Sequence, residues 1–259
     1  MNNLSTKHRI LITNDDGIDA PGIKLLESIA TEFSGDIWVV APASERSGAS
    51  HSISLTDPLR MHQLGPKRFE IVGSPTDCIL MAMWHIMTDG PPTLILSGVN
   101  SGGNLGEEVS YSGTIAAAME GTLEGIRSIS ISQTRQVGTV ADFAPTARFA
   151  PDLLRRCIEL EQWPEGSFIN INFPNCPVDE VGQVRVTHQG QRPGGRLSID
   201  ARHDARNQPY FWVKITHPRT EHELGCDLAA IDNKDISVTP IKMDFTDYGW
   251  QRALGGVLS

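Results

Sequence analysis

Three short segments of this chain are apolar through their length rather than on alternate residues: "RILIT" at 9–13, "DIWVVAP" at 36–42 and "TLILSGVN" at 93–100. A strand covered on one face alternates apolar with polar residues, whereas a strand covered on both faces does not. Helical patterns lie between these runs. "GIKLLESIATEF" (22–33) places Ile23, Leu26, Ile29, Ala30 and Phe33 on one helical face. "SPTDCILMAMWHIM" (74–87) opens with a helix start: Ser74 as cap, Pro75 in the first turn and Asp77 at capping-box spacing. "GTIAAAMEGTLEG" (113–125) reads as another helix and "SISIS" (128–132) as the strand after it. Strand and helix in alternation require right-handed crossovers, and so an α/β fold with a mainly parallel sheet between helical layers.

The later chain changes character. A long helical pattern, "APDLLRRCIELEQW" (150–163), leads to a strand, "FININF" (168–173), closed by Pro174. Two alternating strands follow, "QVRVTH" (183–188) and "YFWVKIT" (210–216), separated by a polar stretch rich in Gly and Arg. They read as an antiparallel β-hairpin excursion, of a kind that reaches a neighbouring subunit. "DISVTPI" (235–241) is the final strand. The expected division is an α/β core with the functional site over 1–175, and a β-rich C-terminal excursion with the last strand over 176–259.

Charge and composition remove several classes of function. A net charge of −9 argues against a general binder of duplex nucleic acid, although a local site can still hold a small anion. No stretch approaches the ~20 apolar residues of a membrane span. The first residues, "MNNLSTKHR", lack the apolar centre of a signal peptide. Cys78, Cys157, Cys176 and Cys226 are scattered and form no C-x-x-C pair, as suits free thiols in a reducing compartment. The expectation is a soluble cytoplasmic protein that uses no membrane.

In parallel sheets ligands bind beyond the carboxyl ends of the strands. The unusual polar residues here all follow strands: Asn14 to Asp16, Ser44 to Ser47, and Ser97 to Asn104. Inside a strand Asp15 and Asp16 would point to opposite faces. Beyond its end, the turn at Gly17 lets both carboxylates approach one point. Two carboxylates that close raise each other's pKa unless a cation neutralises them, and hard oxygen ligands suit Mg²⁺, Mn²⁺ or Ca²⁺ rather than Zn²⁺. The plainer alternative is one Asp capping the next helix and the other in solvent. Residues 97–114 form a long Gly-rich segment carrying Asn100 and Asn104, and Ser112, Gly113 and Thr114 open a helix. A helix N-terminus favours an anion. A cation beside a phosphate cradle is an arrangement for phosphoryl chemistry.

Competing phosphate chemistries lack their sequence signatures. There is no G-x-x-x-x-G-K-[ST], no G-x-G-x-x-G after the first strand and no G-x-S-x-G elbow. No arginine follows a cysteine at C-x₅-R spacing, and an aspartyl-phosphate site would need Asp-x-Asp where Asp16 is followed by Gly17. "RHD" (202–204) is a weak match to a histidine phosphatase. His51 is the only histidine in a candidate loop and reads more simply as a loop residue without a catalytic role.

"ILITNDDGIDAPGI", "VVAPASERSGASHSISL", "GSPTDCILMA", "SGVNSGGNLGEEVSYSGTIAAAMEG" and "ISVTPI" occur in the order and spacing of the SurE family, and the chain resembles that family from about residue 9 to 245. The resemblance implies a Rossmann-like three-layer core, metal-dependent 5′/3′-nucleotidase activity and one divalent cation per subunit, usually Mg²⁺ or Mn²⁺. It further implies a homodimer or homotetramer built with C-terminal extensions. By the same resemblance the metal ligands are Asp15, Asp16, Ser47 and Asn100, and phosphate lies near Tyr111 to Thr114 with Asn104 close by. The family often has Gly-Thr-Asp where this chain has Gly225-Cys226-Asp227. The expected reaction is hydrolysis of nucleoside monophosphates by a metal-activated water. Asp15, Asp16 and Asn100 form the catalytic centre, and Asn104, Ser112, Gly113 and Thr114 hold the phosphate. A nucleotide sensor without turnover and a phosphotransferase are the alternatives.

Overall fold

The apolar runs form the middle of a nine-stranded sheet, and their alternate side chains feed two separate cores. β1 (Arg9–Thr13) lies between β2 (Asp36–Pro42) and β5 (Leu94–Ser101), parallel to both. Ile10, Ile12, Val39, Leu94 and Leu96 pack on one side with α1 (Pro21–Ala30) and α4 (Ala144–Ile158). Leu11, Val40 and Ile95 pack on the other with α2 (Pro75–Met81) and α3 (Gly113–Leu123). Burial of both faces is why these strands show no polar alternation. The computed structural model describes residues 8–136, 138–192, 197–215 and 221–258. The extreme N-terminal stretch, part of the Gly/Arg-rich segment (193–196) and Thr216 of the expected 210–216 strand lie outside them.

The sheet order is β3-β4-β2-β1-β5-β6-β7-β11-β8. From β1 the chain moves outward one way to β2, β3 (Arg60–Gly65) and β4 (Arg68–Val72). It then returns across β1 to β5, β6 (Arg127–Gln133) and β7 (Ser167–Phe173). The reversal leaves a crevice between the carboxyl ends of β1 and β5, the position where such sheets bind ligands. The expected α/β class with a mainly parallel sheet is what the fold has. Antiparallel pairs occur only at β3–β4 and β7–β11 within this sheet.

Local signals behave as their chemistry predicts at α2. Ser74 Oγ accepts from the Asp77 amide at 3.0 Å, and Asp77 Oδ2 accepts from the Ser74 amide at 2.8 Å. The helix then widens into a π turn over Ala82–Ile86. Three expectations need correction. The helix expected over 150–163 runs over Ala144–Ile158 instead, with Pro151 inside it. Proline removes one backbone donor there, but the buried Ala150, Leu153, Leu154, Cys157 and Ile158 outweigh that loss, and the apolar stripe ends at Ile158. The hairpin pairs Leu197–His203 (β9), which lies inside the stretch read as a polar spacer, with Pro209–Ile215 (β10), the strand expected at 210–216. The run at 183–188 supplies instead β8 (Val184–Val186), which joins the main sheet parallel to β11 (Ile236–Lys242). Among the elements with no clear signal are the edge strands β3 and β4, the β3 side chains mostly exposed, and the final helix α6 (Tyr248–Leu258), which buries none.

Candidate functional site

Asp15 and Asp16 leave β1 directly into the crevice. Asn14 Nδ2 donates to the Gly17 carbonyl at 2.8 Å and Gly17 adopts φ +103°, so the chain turns back sharply after the pair. Asp15 is 3% exposed, and its Oδ1 accepts from the Thr114 hydroxyl at 2.5 Å. The start of α3 rests on it: a Cβ at Gly113 would lie 2.7 Å from Asp15 Cβ and 3.1 Å from Oδ2, so only glycine allows this approach. Burial pushes the Asp15 carboxyl up to about 6, with the Thr114 hydroxyl pulling against it and the Asp16 charge adding to it. Asp16 is also raised by burial, while the Ser101 amide, donating to Oδ2 at 3.0 Å, opposes the rise. Among the described residues no Lys, Arg or His nitrogen forms a salt bridge with either carboxylate.

The second strand-end loop joins this site through the backbone. The Arg46 amide donates to the Asp15 carbonyl at 2.8 Å, bringing Ser47 to the rim. Ser47 is exposed, and its hydroxyl donates to Glu45 Oε1 at 3.0 Å. Farther along the loop, Ser50 bonds the carbonyls of Ser110 and Tyr111, and His51 Nε2 meets the buried Glu120 of α3 at 2.7 Å. His51 therefore fastens the loop to α3, two turns from the helix start.

β5 supplies the facing wall. Its register against β6 slips between Ser97 and Asn100, a bulge of the kind that re-aims side chains at sheet ends. Asn100 Nδ2 donates to the Gly102 carbonyl at 2.9 Å, which leaves its amide oxygen as the group a cation could use. Asn104 is held differently. Its Nδ2 donates to Ser132 Oγ, its amide to Asn172 Oδ1, and its carbonyl accepts from Asn170 and Asn172, all on β6 and β7. Ser112 caps α3, its Oγ accepting from the Ile115 amide at 3.1 Å. The Thr114 hydroxyl thus spends its proton on Asp15, whereas the Ser112 hydroxyl is engaged in this cap as an acceptor and keeps a proton to donate. What α3 offers an anion is the positive end of its backbone dipole together with that hydroxyl.

The structure thus brings Asp15, Gly113 and Thr114 together, and Asp16 with Ser101. A cleft of about 270 Å³ opens beside Asp16, lined also by Glu45, Ser47, Ser101, Arg135 and Thr139. Arg135 was not anticipated. It follows β6, and the rule that ligands meet the carboxyl ends of parallel strands would have nominated it. Cys226, where the family often has Thr, takes the cap of α5 (Asp227–Asp232), its Sγ accepting from the Ala229 amide at 3.4 Å.

Comparison with known proteins agrees with this architecture. The family described as Survival protein SurE matches residues 10–195. The 5′-nucleotidase SurE of Methylorubrum extorquens (strain PA1) is 52% identical over 241 residues, covering 92% of this chain and 94% of that protein. The 5′-nucleotidase SurE of Bradyrhizobium diazoefficiens is 49% identical over 256 residues, covering 96% and 99%. The crystal structure of the SurE protein from Aquifex aeolicus superposes with a TM-score of 0.80 at 32% identity, covering 96% of this chain and 99% of that one. Sequence, sheet order and relatives together make this chain a member of the SurE family.

Proposed function

We propose that this chain is a 5′-nucleotidase, hydrolysing nucleoside 5′-monophosphates, and 3′-monophosphates as well, to nucleoside and phosphate. Relatives about half identical over nearly the whole chain carry the name 5′-nucleotidase SurE. The observation that carries the reading is the aspartate pair, Asp15 buried and Asp16 partly so, with no salt-bridged basic partner among the described residues, set against the N-terminus of α3.

The donor set fits a divalent cation such as Mg²⁺ or Mn²⁺. A carboxylate buried like Asp15 is costly when charged and unpaired. Among the described residues no cluster of three or more His, Cys, Asp or Glu converges, so the charged ligands would be Asp15 and Asp16 alone. Neutral oxygens from Asn100 and Ser47 would complete the set, a composition suited to a hard cation. Such an ion, when bound, supplies Lewis-acid polarisation of a phosphoryl oxygen and a water acidic enough to attack near neutral pH. The protein's own parts do the positioning. Thr114 holds Asp15 in one rotamer, the Ser101 amide orients Asp16, and the first turn of α3 directs positive backbone potential toward the phosphate.

Assembly as a homodimer or homotetramer is part of the same reading. The β9–β10 hairpin is a separate two-stranded sheet with exposed apolar residues, a form with little stability alone. No helix among the described residues is long and apolar enough to cross a membrane. The free cysteines, three of them buried, support a cytoplasmic setting.

The test is phosphate release from a panel of 5′- and 3′-nucleoside monophosphates with Mg²⁺, with Mn²⁺ and with chelator. Metal-dependent release is expected. A well-folded sample that binds nucleotide yet releases no phosphate would point to a sensor, and transfer of phosphate to an added alcohol would point to a transferase.

A further inference from the structure

Arg135 has an arrangement that its role as a loop residue does not explain. Its Nε donates to the Ser101 carbonyl at 2.7 Å and one terminal nitrogen donates to the Thr139 carbonyl at 2.6 Å. Two backbone carbonyls therefore fix the plane of the guanidinium. Among the described residues no carboxylate forms a salt bridge with it, although its charge is felt at Asp16, which it pulls down. The guanidinium is thus oriented but not neutralised, and it lines the same cleft as Asp16 and Ser47. Among the described residues it is the sole cation in that lining.

Charge balance gives this cation a purpose. A divalent ion on Asp15 and Asp16 cancels those two carboxylates, but Glu45 also lines the cleft and leaves it negative. A phosphate dianion would then approach like charge. Arg135 brings the cleft to neutrality and places a planar fork where phosphate oxygens can meet it, the recognition for which arginine is better suited than lysine. Resting on the nucleotidase reading above, we infer that Arg135 is a phosphate-binding residue of this site. It meets the phosphate from the β6 side of the cleft beside Asp16. As charge builds on the phosphoryl oxygens, a fixed guanidinium at this edge stabilises it without reorganising.

The test uses inorganic phosphate as probe, with the full-length protein loaded with Mn²⁺, and calorimetry of both ligands on Arg135→Gln and Arg135→Lys. Mn²⁺ affinity is expected to stay within about threefold of wild type. Phosphate affinity and kcat/KM on the best nucleotide are expected to fall by roughly 10- to 100-fold in Arg135→Gln, the scale of a charged hydrogen bond. Arg135→Lys, which keeps charge without the fork, should fall between. In Arg135→Ala, added guanidinium should restore part of the phosphate release. Phosphate affinity within twofold of wild type in Arg135→Gln would overturn the inference and leave Arg135 as a pin for residues 101 and 139. A wild-type protein that binds no phosphate would overturn it as well. A wild type that binds phosphate through Arg135 but turns over no nucleotide would sink the nucleotidase reading alone.

Discussion

At the carboxyl end of β1 the fold holds two carboxylates, Asp15 buried and Asp16 partly so, that no basic side chain among the described residues bridges, whereas at the β9–β10 hairpin it exposes apolar side chains that no core covers. Ile199, Phe211, Trp212 and Val213 are 63%, 62%, 57% and 66% exposed. Valine, isoleucine and tryptophan in β1, β2 and β5 disappear into cores on both faces, but the same residue types in the hairpin have only each other across a two-stranded sheet. Each region is left incomplete by its own chain, in opposite physical senses. The first lacks positive charge, which a small cation can supply. The second lacks apolar cover, which only another large surface can supply. On the proposed reading function depends on both deficits being met from outside the chain, and each can be disturbed separately.

The largest effect should come from removing charge at the first region. Asp15→Asn is expected to lower Mn²⁺ affinity by more than about 100-fold and to abolish most phosphate release, since even residues supporting a ligand account for 10- to 100-fold. The same variant should raise the melting temperature of the chelated protein, because it removes an unpaired buried carboxylate. Lower activity together with higher metal-free stability is a signature that mere misfolding does not produce. Calorimetry and thermal melts in chelator check both halves. Gly113→Ala should come next. Its methyl would stand 2.7 Å from Asp15 Cβ, so either α3 or Asp15 must move. The expected cost is about 1–3 kcal/mol of stability and up to ~100-fold in kcat/KM from misplacing the carboxylate, read by denaturant titration and steady-state kinetics.

The second region answers to a different probe. Phe211→Glu puts a charge into the exposed apolar face that Ile199, Ala201, Phe211 and Val213 form together, and an aromatic anchor at an interface can be worth about 2 kcal/mol or more. Subunit association should weaken by roughly 30-fold, seen as a loss of mass on dilution in light scattering, while Mn²⁺ affinity stays at the wild-type level. An unchanged mass at every dilution would mean that the hairpin is not the assembly surface.

The sequence discloses these regions unequally. β1, β2 and β5 are legible because burial on two faces writes itself as unbroken apolar runs, and the α2 cap because Ser74, Pro75 and Asp77 follow a fixed spacing. The crevice is legible too, since strand order places Asp15 and Asp16 opposite residues 97–101. What escapes is what depends on distant neighbours. Pro151 lies inside α4 because the core beneath it outweighs one lost hydrogen bond. β9 hides in a polar stretch because hairpin strands facing solvent need no periodicity. Arg135 carries no motif at all; only its position past β6, together with the carbonyls of Ser101 and Thr139, makes it part of the site. The engagement of the Thr114 hydroxyl is likewise visible only once Asp15 and α3 are in contact.

The smallest effect is a pH dependence that separates the two regions without any change at the hairpin. Asp15 is raised from its ordinary 3.8 to about 6 when no metal is bound, chiefly by burial, and Asp16 is shifted in the same direction. The folded metal-free protein therefore holds protons that the unfolded chain has already released between pH 4 and 6. Stability must fall as pH rises through that window, by about 1.4 kcal/mol for each pH unit at most for Asp15, and level off above it. Other carboxylates that are lowered on folding, such as Asp36 between Arg9 and Lys67, have the opposite sign. The informative quantity is therefore the wild-type minus Asp15→Asn difference in unfolding free energy, measured in chelator from pH 4 to 7. That difference should decline through the window. Mn²⁺ affinity of the wild type should rise over the same range, as the cation competes with the proton for the same carboxylate. A flat difference would show that Asp15 is already neutralised by a group within the chain, and the contrast between a site awaiting charge and a hairpin awaiting cover would be lost.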